Sequence, residues 1–97
     1  MRHTNKLSCL ISKEEIPNLV FPKEDVLTNK NQRSLRAYSL KRASQLGNLL
    51  KNKVDIYFKN HEDKQMRVTT TVWAITSDYV VLKKGVVIPK MSVVKVD

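Results

Sequence analysis

The second half of the chain is a run of short segments in which apolar and polar residues alternate, and no other feature restricts the fold as strongly. β-Branched and aromatic residues at a period of 2, bounded by turn residues, are typical of half-buried strands. Five segments have this character: KVDIYFKN at 53–60, MRVTTTVWAIT at 66–76, YVVLKK at 79–84, GVVI at 85–88 and SVVKV at 92–96. The pattern predicts five short strands, of which the second is the longest.

The connections between these segments support the same interpretation. NHEDKQ at 60–65 is a polar loop, and Ser77 with Asp78 forms a tight turn. Pro89 cannot donate a hydrogen bond to a sheet, so the chain breaks at 89–91 and turns in a new direction. The threonines at 69–71 have no acid or histidine placed to activate them, and we interpret them as β-branched strand residues.

One helix is predicted before the strands, over about residues 31–46. Asn29 or Asn31 can cap its start, and Gly47 with Asn48 provides a stop. One arc of the helical wheel is expected to pack on the strands, with the stem of Arg42 lying along it. Its members are Leu35, Ser39, Ala43, Leu46 and Leu50.

Residues 1–30 contain Pro17 and Pro22 and show no sustained period, so we expect an irregular N-terminal arm. We expect the apolar residues at 19–21 to dock on the remainder. Residues 31–97 then form a single domain. Its predicted fold class is mainly β with an N-terminal α-helix, arranged as a five-stranded SH3-like or Sm-like antiparallel barrel. Such a small core needs the helix, or a neighbouring subunit, to cover it.

The stretches NLLKNKVDIYFKN at 48–60 and AITSDYVVLKKGVVIPKMSVVKV at 74–96 resemble the Sm-like family, and in particular its bacterial Hfq group. The resemblance covers about residues 45–97. It implies a ring-forming, RNA-binding barrel whose subunits pair through the edges of their fourth and fifth strands. Lys90 matches the lysine of the group's Lys-His pair, whereas Met91 stands at the histidine position. The chain is also similar to small uncharacterised basic bacterial proteins.

The charge of the chain points to a polyanionic partner. The formal net charge is +9, and residues 30–53 carry seven basic side chains and no acidic one. Like charges at this density repel one another, so a ligand for them is a better explanation than fold stability. The candidate nucleic-acid contacts are Lys30, Arg33, Arg36, Lys41, Arg42, Lys51, Lys53, Lys83, Lys84 and Lys90.

Trp73 and Tyr57 are candidates for base stacking or for a subunit interface. Regular alternation in the second strand presents Trp73 on the outside, as a stacking platform or a subunit contact. A bend or bulge in that strand would instead turn Trp73 into the core. The sequence leaves these alternatives open.

Other function classes lack the residues that they require. Cys9 is the only cysteine, and neither His3 nor His61 has metal-ligand spacing, so we expect no metal and no cofactor. No acid–base pair or phosphate loop indicates an enzyme or a small-molecule substrate. No run approaches the ~20 apolar residues of a membrane span, so we expect a cytoplasmic protein without a membrane partner.

These observations predict a small basic module that binds nucleic acid, with RNA preferred over DNA. The alternative is a protein-protein interaction or self-assembling SH3-like module without catalytic activity. Its edge-strand sequence, GVVIPKMSVVKV at 85–96, is suited to strand addition and to a homo-oligomer.

Overall fold

In the computed structural model, which describes residues 8–97, one long helix lies against two small sheets. The helix, α1, spans Lys30–Leu50. Asn29 is its N-cap, because the side-chain oxygen accepts hydrogen bonds from the backbone of Asn31 at 2.8 Å and of Gln32 at 3.1 Å. Lys51 ends the helix in the left-handed conformation, with φ of 57°.

In the part of the chain that the structure describes, seven strands form the two sheets. They are β1 Cys9–Leu10, β2 Val54–Lys59, β3 Gln65–Thr70, β4 Val72–Ile75, β5 Tyr79–Leu82, β6 Val87–Pro89 and β7 Val93–Val96. The first sheet has the order β1-β3-β2-β7, and the second has the order β4-β5-β6. All pairings are antiparallel except that of β1 with β3. Three short 3-10 helices lie within residues 8–97, at Lys13–Asn18, Lys83–Gly85 and Lys90–Ser92.

The chain is therefore mainly β with an N-terminal helix, as predicted, but its strands form two sheets rather than one closed five-stranded barrel. The long second strand of the prediction divides at Thr71 into β3 and β4. The carbonyl of Thr71 accepts a hydrogen bond from the backbone of Lys83 at 2.9 Å, which draws the chain away from β2 and toward the end of β5. The strand thus changes sheet at this residue.

The segment before α1 contains short regular elements, whereas we predicted an irregular arm. Of the residues at 19–21 that we expected to dock, Leu19 and Phe21 pack on the core and Val20 is exposed. β1 extends the first sheet by pairing with β3, and Ile16 of the following 3-10 helix is fully buried. A capping box starts that 3-10 helix, since Glu15 accepts a hydrogen bond from the backbone of Ser12 at 2.9 Å. Phe21 lies 6.0 Å from Phe58, ring centre to ring centre. Predictions for residues 1–7 lie outside the described residues.

The packed face of α1 overlaps the predicted arc in part, because Ala43 is buried and Ser39 and Leu46 are half-buried, as predicted. Leu40, Ala43 and Gly47 are buried, whereas Leu35 is 64% exposed and Leu50 is also exposed. Arg42, predicted to lie along the packed face, is exposed as well. The helix also continues through Gly47, where we predicted its end.

Gly47 is buried because it lets the helix approach β4 closely. A Cβ atom at this position would lie 2.3 Å from the carbonyl oxygen of Val72. Only a residue without a side chain fits between α1 and β4 here, so the face of α1 that carries Gly47 points inward. This packing brings the last turn of the helix next to Thr71 and Val72.

A single core joins both sheets, α1 and the first 3-10 helix. Its fully buried side chains include Phe58, Ile16, Leu40, Ile56, Leu82, Ile88, Val68, Val72, Val80 and Val93. These residues include the inward-facing positions of β2, β3, β5 and β7, as the period-2 pattern predicts.

Candidate nucleic-acid interface

A concave groove of about 450 Å³ lies where the end of α1 meets the start of β4 and the end of β5. It brings together residues from three separate parts of the chain, at 47–53, 71–73 and 83. Its lining residues are Gly47, Asn48, Lys51, Lys53, Thr71, Trp73 and Lys83. Four of the predicted site residues therefore share one surface, namely Lys51, Lys53, Trp73 and Lys83.

Local backbone geometry places each of these lysines. Lys51 occupies the left-handed residue that ends α1, and its backbone N–H donates to the carbonyl of Gly47 at 3.0 Å. Lys53 precedes β2 directly. Lys83 follows β5, and its hydrogen bond to the carbonyl of Thr71 fixes it beside the start of β4. The lysines are thus held by the ends of regular elements.

Trp73 is the extra residue of a β-bulge. Val72 pairs with Leu82 and Ala74 pairs with Val81, so β4 has one more residue than β5 across this interval. Val72 is fully buried, whereas the indole of Trp73 is 46% exposed. We considered that a bulge would turn Trp73 into the core. The bulge is present, but the core interpretation is wrong, because the buried position is already filled by Val72.

The groove is strongly cationic. Its lining includes three lysines and no carboxylate. Among residues 8–97, none of these three lysines forms a salt bridge. Three exposed ammonium groups around one concavity give a positive potential that attracts an anionic ligand. Asn48 and Thr71 add an amide and a hydroxyl to the wall.

Arg36 and Arg33, which we predicted to contact nucleic acid, are engaged within the protein. The guanidinium of Arg36 donates to both carboxylate oxygens of Asp25, at 2.8 and 2.6 Å, and to the carbonyl of Val93 at 2.9 Å. Its side chain is only 9% exposed. Arg33 donates to the carbonyl of Leu27 at 2.6 Å and lies 3.5 Å from Asp25. We therefore remove Arg36 from the candidate site and regard Arg33 as mainly structural.

The hydrogen bonds from Arg36 also lower the pKa of Asp25, and they outweigh the partial burial that would raise it. The carboxylate stays ionised and anchors the segment before α1 to the helix. This ion pair joins residues eleven positions apart, and no sequence pattern identifies it.

The remaining candidate cations are distributed over other surfaces. Lys30, Lys41 and Arg42 are exposed on α1. The pKa of Glu14 is lowered mainly by a backbone hydrogen bond and then by Lys13, and Lys84 adds to this effect. Lys84 therefore lies within the electrostatic range of an acidic side chain.

Lys90 lines a second concavity, of about 550 Å³, on another part of the surface. Its neighbours there include Tyr79, Met91, Asp78 and the Asp25–Arg36 pair, which balances the charge. This concavity does not have the uniformly positive lining of the groove beside Trp73. We therefore place Lys90 outside the principal site.

Tyr57 is 7% exposed and does not offer a free ring for stacking. It lies opposite Arg67 on β3 and opposite Lys95 on β7, and the ammonium of Lys95 sits 4.7 Å from the ring centre. This cation–π contact covers the face that we predicted as a stacking or interface surface.

The sequence did not identify Gly47, Asn48 and Thr71 as site residues. Gly47 and Asn48 offered a signal that we interpreted as a helix stop, and Thr71 offered none beyond strand propensity.

Within residues 8–97, no group of His, Cys, Asp or Glu side chains could hold a metal ion. In the same part of the chain, no helix combines the length and the apolar character that crossing a membrane requires. No protein-family model matches the chain, and neither a curated protein nor a solved structure matches it.

Proposed function

We propose that this protein is a small basic module that binds nucleic acid, with RNA preferred over DNA, through the groove beside Trp73. The observation that carries the proposal is the convergence of Lys51, Lys53 and Lys83 on one concavity without a carboxylate in its lining. We assign the module no catalytic role.

The energetics favour a phosphate backbone as the ligand. Each lysine that neutralises a phosphate releases a condensed counterion, and this release drives association at low salt. The groove lysines have no salt bridge to break within residues 8–97, so binding does not cost an existing ion pair. Arg36 carries the same charge as these lysines, but it would have to give up its hydrogen bonds to Asp25 in order to bind a phosphate. For this reason we exclude Arg36 from the binding site.

The connectivity supports an SH3-like interpretation of the fold. β3 and β4 are separated only by Thr71, so the two form halves of one bent strand that both sheets share. The last strand, β7, pairs with β2, the first strand after the helix. We propose that the two sheets are the halves of a small, partly open Sm-like barrel capped by α1. The preference for RNA rests on this resemblance.

A matched pair of double variants tests the site. Lys51→Gln/Lys83→Gln removes two charges from the groove, and Lys23→Gln/Lys64→Gln removes two exposed charges from outside it. Fluorescence anisotropy with labelled single-stranded RNA, single-stranded DNA and duplex, at two salt concentrations, gives the affinities. We expect the groove variant to bind at least about tenfold more weakly at low salt than the control variant.

Equal weakening in the two variants would show that binding follows net charge and not the groove. The absence of binding to all three nucleic acids at low salt would refute the proposed function.

A second candidate function is self-assembly through the free edge of β7. This strand lies at the edge of its sheet, and an adjoining groove of about 320 Å³ separates it from α1. Leu27, Leu35, Val94 and Val96 contribute apolar surface to that groove. A strand from a second copy would pair with the backbone of β7 beyond Val93, whose carbonyl already accepts from Arg36, and would cover Leu35.

Sedimentation velocity over a range of protein concentrations tests this alternative. A ring or dimer that persists after nuclease treatment and in high salt would support it, and Leu35→Glu should then dissociate the assembly. A monomer at every concentration would contradict it.

A further inference from the structure

The exposure of Trp73 indicates which form of nucleic acid the groove accepts. An indole is among the largest apolar side chains, and leaving nearly half of it in solvent forfeits hydrophobic stabilisation. The ring belongs to a paired strand whose preceding residue, Val72, is locked in the core. Trp73 is thus held at the surface by the bulge.

A flat aromatic ring in a cationic concavity matches two parts of a nucleotide at once. The face of a base stacks on an aromatic side chain, and the neighbouring phosphates pair with lysines. Lys51 and Lys53 stand on the helix side of the groove, and Lys83 stands on the strand side. A nucleotide in the groove would therefore lie beside Trp73 and beside cations from both of these elements.

A duplex cannot present the same features to this surface. Its base faces are covered by neighbouring bases, and only base edges are available in its grooves. Proteins that read these edges insert a protruding helix or β-ribbon, whereas Trp73 lines a concavity beside the end of α1. A base must be unstacked before its face can reach the indole.

We propose that the groove is a site for an unpaired nucleotide, with its base stacked on Trp73 and its flanking phosphates on Lys51, Lys53 and Lys83. This inference rests on the proposed function and makes it specific to single strands. The exposed Asn48 amide offers both a donor and an acceptor, so it can bond to the edge of a base without strong selection of one base. The recognised class is single-stranded RNA or DNA of mixed sequence.

Trp73 is the only tryptophan of the chain, so its fluorescence reports directly on this site. The probes are an oligouridylate of about eight nucleotides and an RNA duplex of about twelve base pairs. We expect the single strand to quench Trp73 emission and to protect the indole from acrylamide. The duplex should bind more weakly and leave the emission unchanged.

Substitutions separate stacking from charge. With a dye-labelled single strand, Trp73→Leu should weaken binding about tenfold or more, and Trp73→Phe should retain part of the affinity. Neither change should alter binding of the duplex. Circular dichroism melting checks that both variants fold, as expected for a side chain that is half exposed.

Two results would overturn the inference without affecting the proposed function. One is tight binding of the single strand with no change in Trp73 emission, and the other is wild-type affinity of Trp73→Leu for it. In both cases Lys51→Gln/Lys83→Gln would still weaken binding. If neither probe binds at low salt, the proposed function fails as well.

Discussion

Replacing Gly47 with alanine should destabilise the protein, although alanine is the better helix former. The added Cβ would lie 2.3 Å from the carbonyl oxygen of Val72 and 3.0 Å from the methyl of Thr71. Restoring an ordinary contact requires a displacement of α1 from β4 by about 1 Å, because a backbone carbonyl cannot rotate away as a flexible side chain can. Overpacking of this kind costs about 1–3 kcal/mol.

The gain in helix propensity opposes this cost by about 1 kcal/mol. Since the obstacle is backbone, we place the cost in the upper half of its range and expect a net loss of about 1–2 kcal/mol. Urea denaturation followed by circular dichroism measures the change, which should appear as a lower midpoint with an unchanged slope. The midpoint of thermal unfolding should fall by roughly 5–15 °C.

Ala37→Gly is the matched control, because Ala37 is exposed on the same helix and its substitution reports propensity alone. It should cost about 1 kcal/mol. If Gly47→Ala were as stable as the wild type, or more stable than it by the ~1 kcal/mol that helix propensity alone predicts, the close approach of α1 to β4 would be refuted. The displacement should also weaken nucleic-acid binding, because Asn48 and Lys51 move with the helix end.

Two further predictions concern the anchoring of α1. Asp25→Asn should cost about 2–3 kcal/mol at neutral pH, because Arg36 loses its buried charged partner. The folded-state pKa of Asp25 lies below its ordinary value of 3.8, so this stabilisation is complete above that pH and is lost as the pH falls through the lower pKa. Urea denaturation at neutral and acidic pH should therefore show the difference between wild type and variant shrinking in acid, and a constant difference would contradict the assignment. Asn29→Ala should cost about 1 kcal/mol through loss of the N-cap, whereas Asn31→Ala should change the midpoint of thermal unfolding little; the reverse order would place the cap at Asn31.

The strand segments were predictable because their period and their turn residues agree. Ile56 and Phe58 alternate with polar neighbours, and Pro89 ends β6 before the chain turns into β7, so local sequence is sufficient. The division at Thr71 was not predictable, because it depends on a hydrogen bond from Lys83, a residue twelve positions away. Strand propensity is continuous through the threonines and contains no sign of it.

The prediction of the packed face of α1 was correct only in part, for a related reason. The apolar arc containing Leu35 is a plausible packed face by sequence, but Gly47 permits a closer approach and Asp25 draws Arg36 inward. A glycine is counted as a helix breaker by propensity, whereas here it is a contact residue. The capping box at Ser12 and Glu15 is different, because its spacing is visible in the sequence and we did not use it.

The candidate site was partly predictable. Charge composition identified Lys51, Lys53 and Lys83, and the presence of a single tryptophan identified Trp73. Composition could not distinguish these lysines from Arg36, because a sequence does not show whether a basic side chain is paired with a carboxylate inside the protein. Only the fold shows which cations have a carboxylate partner.

The salt dependence of binding tests the central claim most directly. Affinity for single-stranded RNA is measured by anisotropy across a series of salt concentrations, for the wild type and for Lys51→Gln/Lys53→Gln/Lys83→Gln. Each phosphate contact of a single strand contributes about 0.7 to the slope of log affinity against log salt concentration, so the slope of the variant should be smaller by about 2. An unchanged slope and affinity in the variant would show that the groove beside Trp73 is not where the nucleic acid binds.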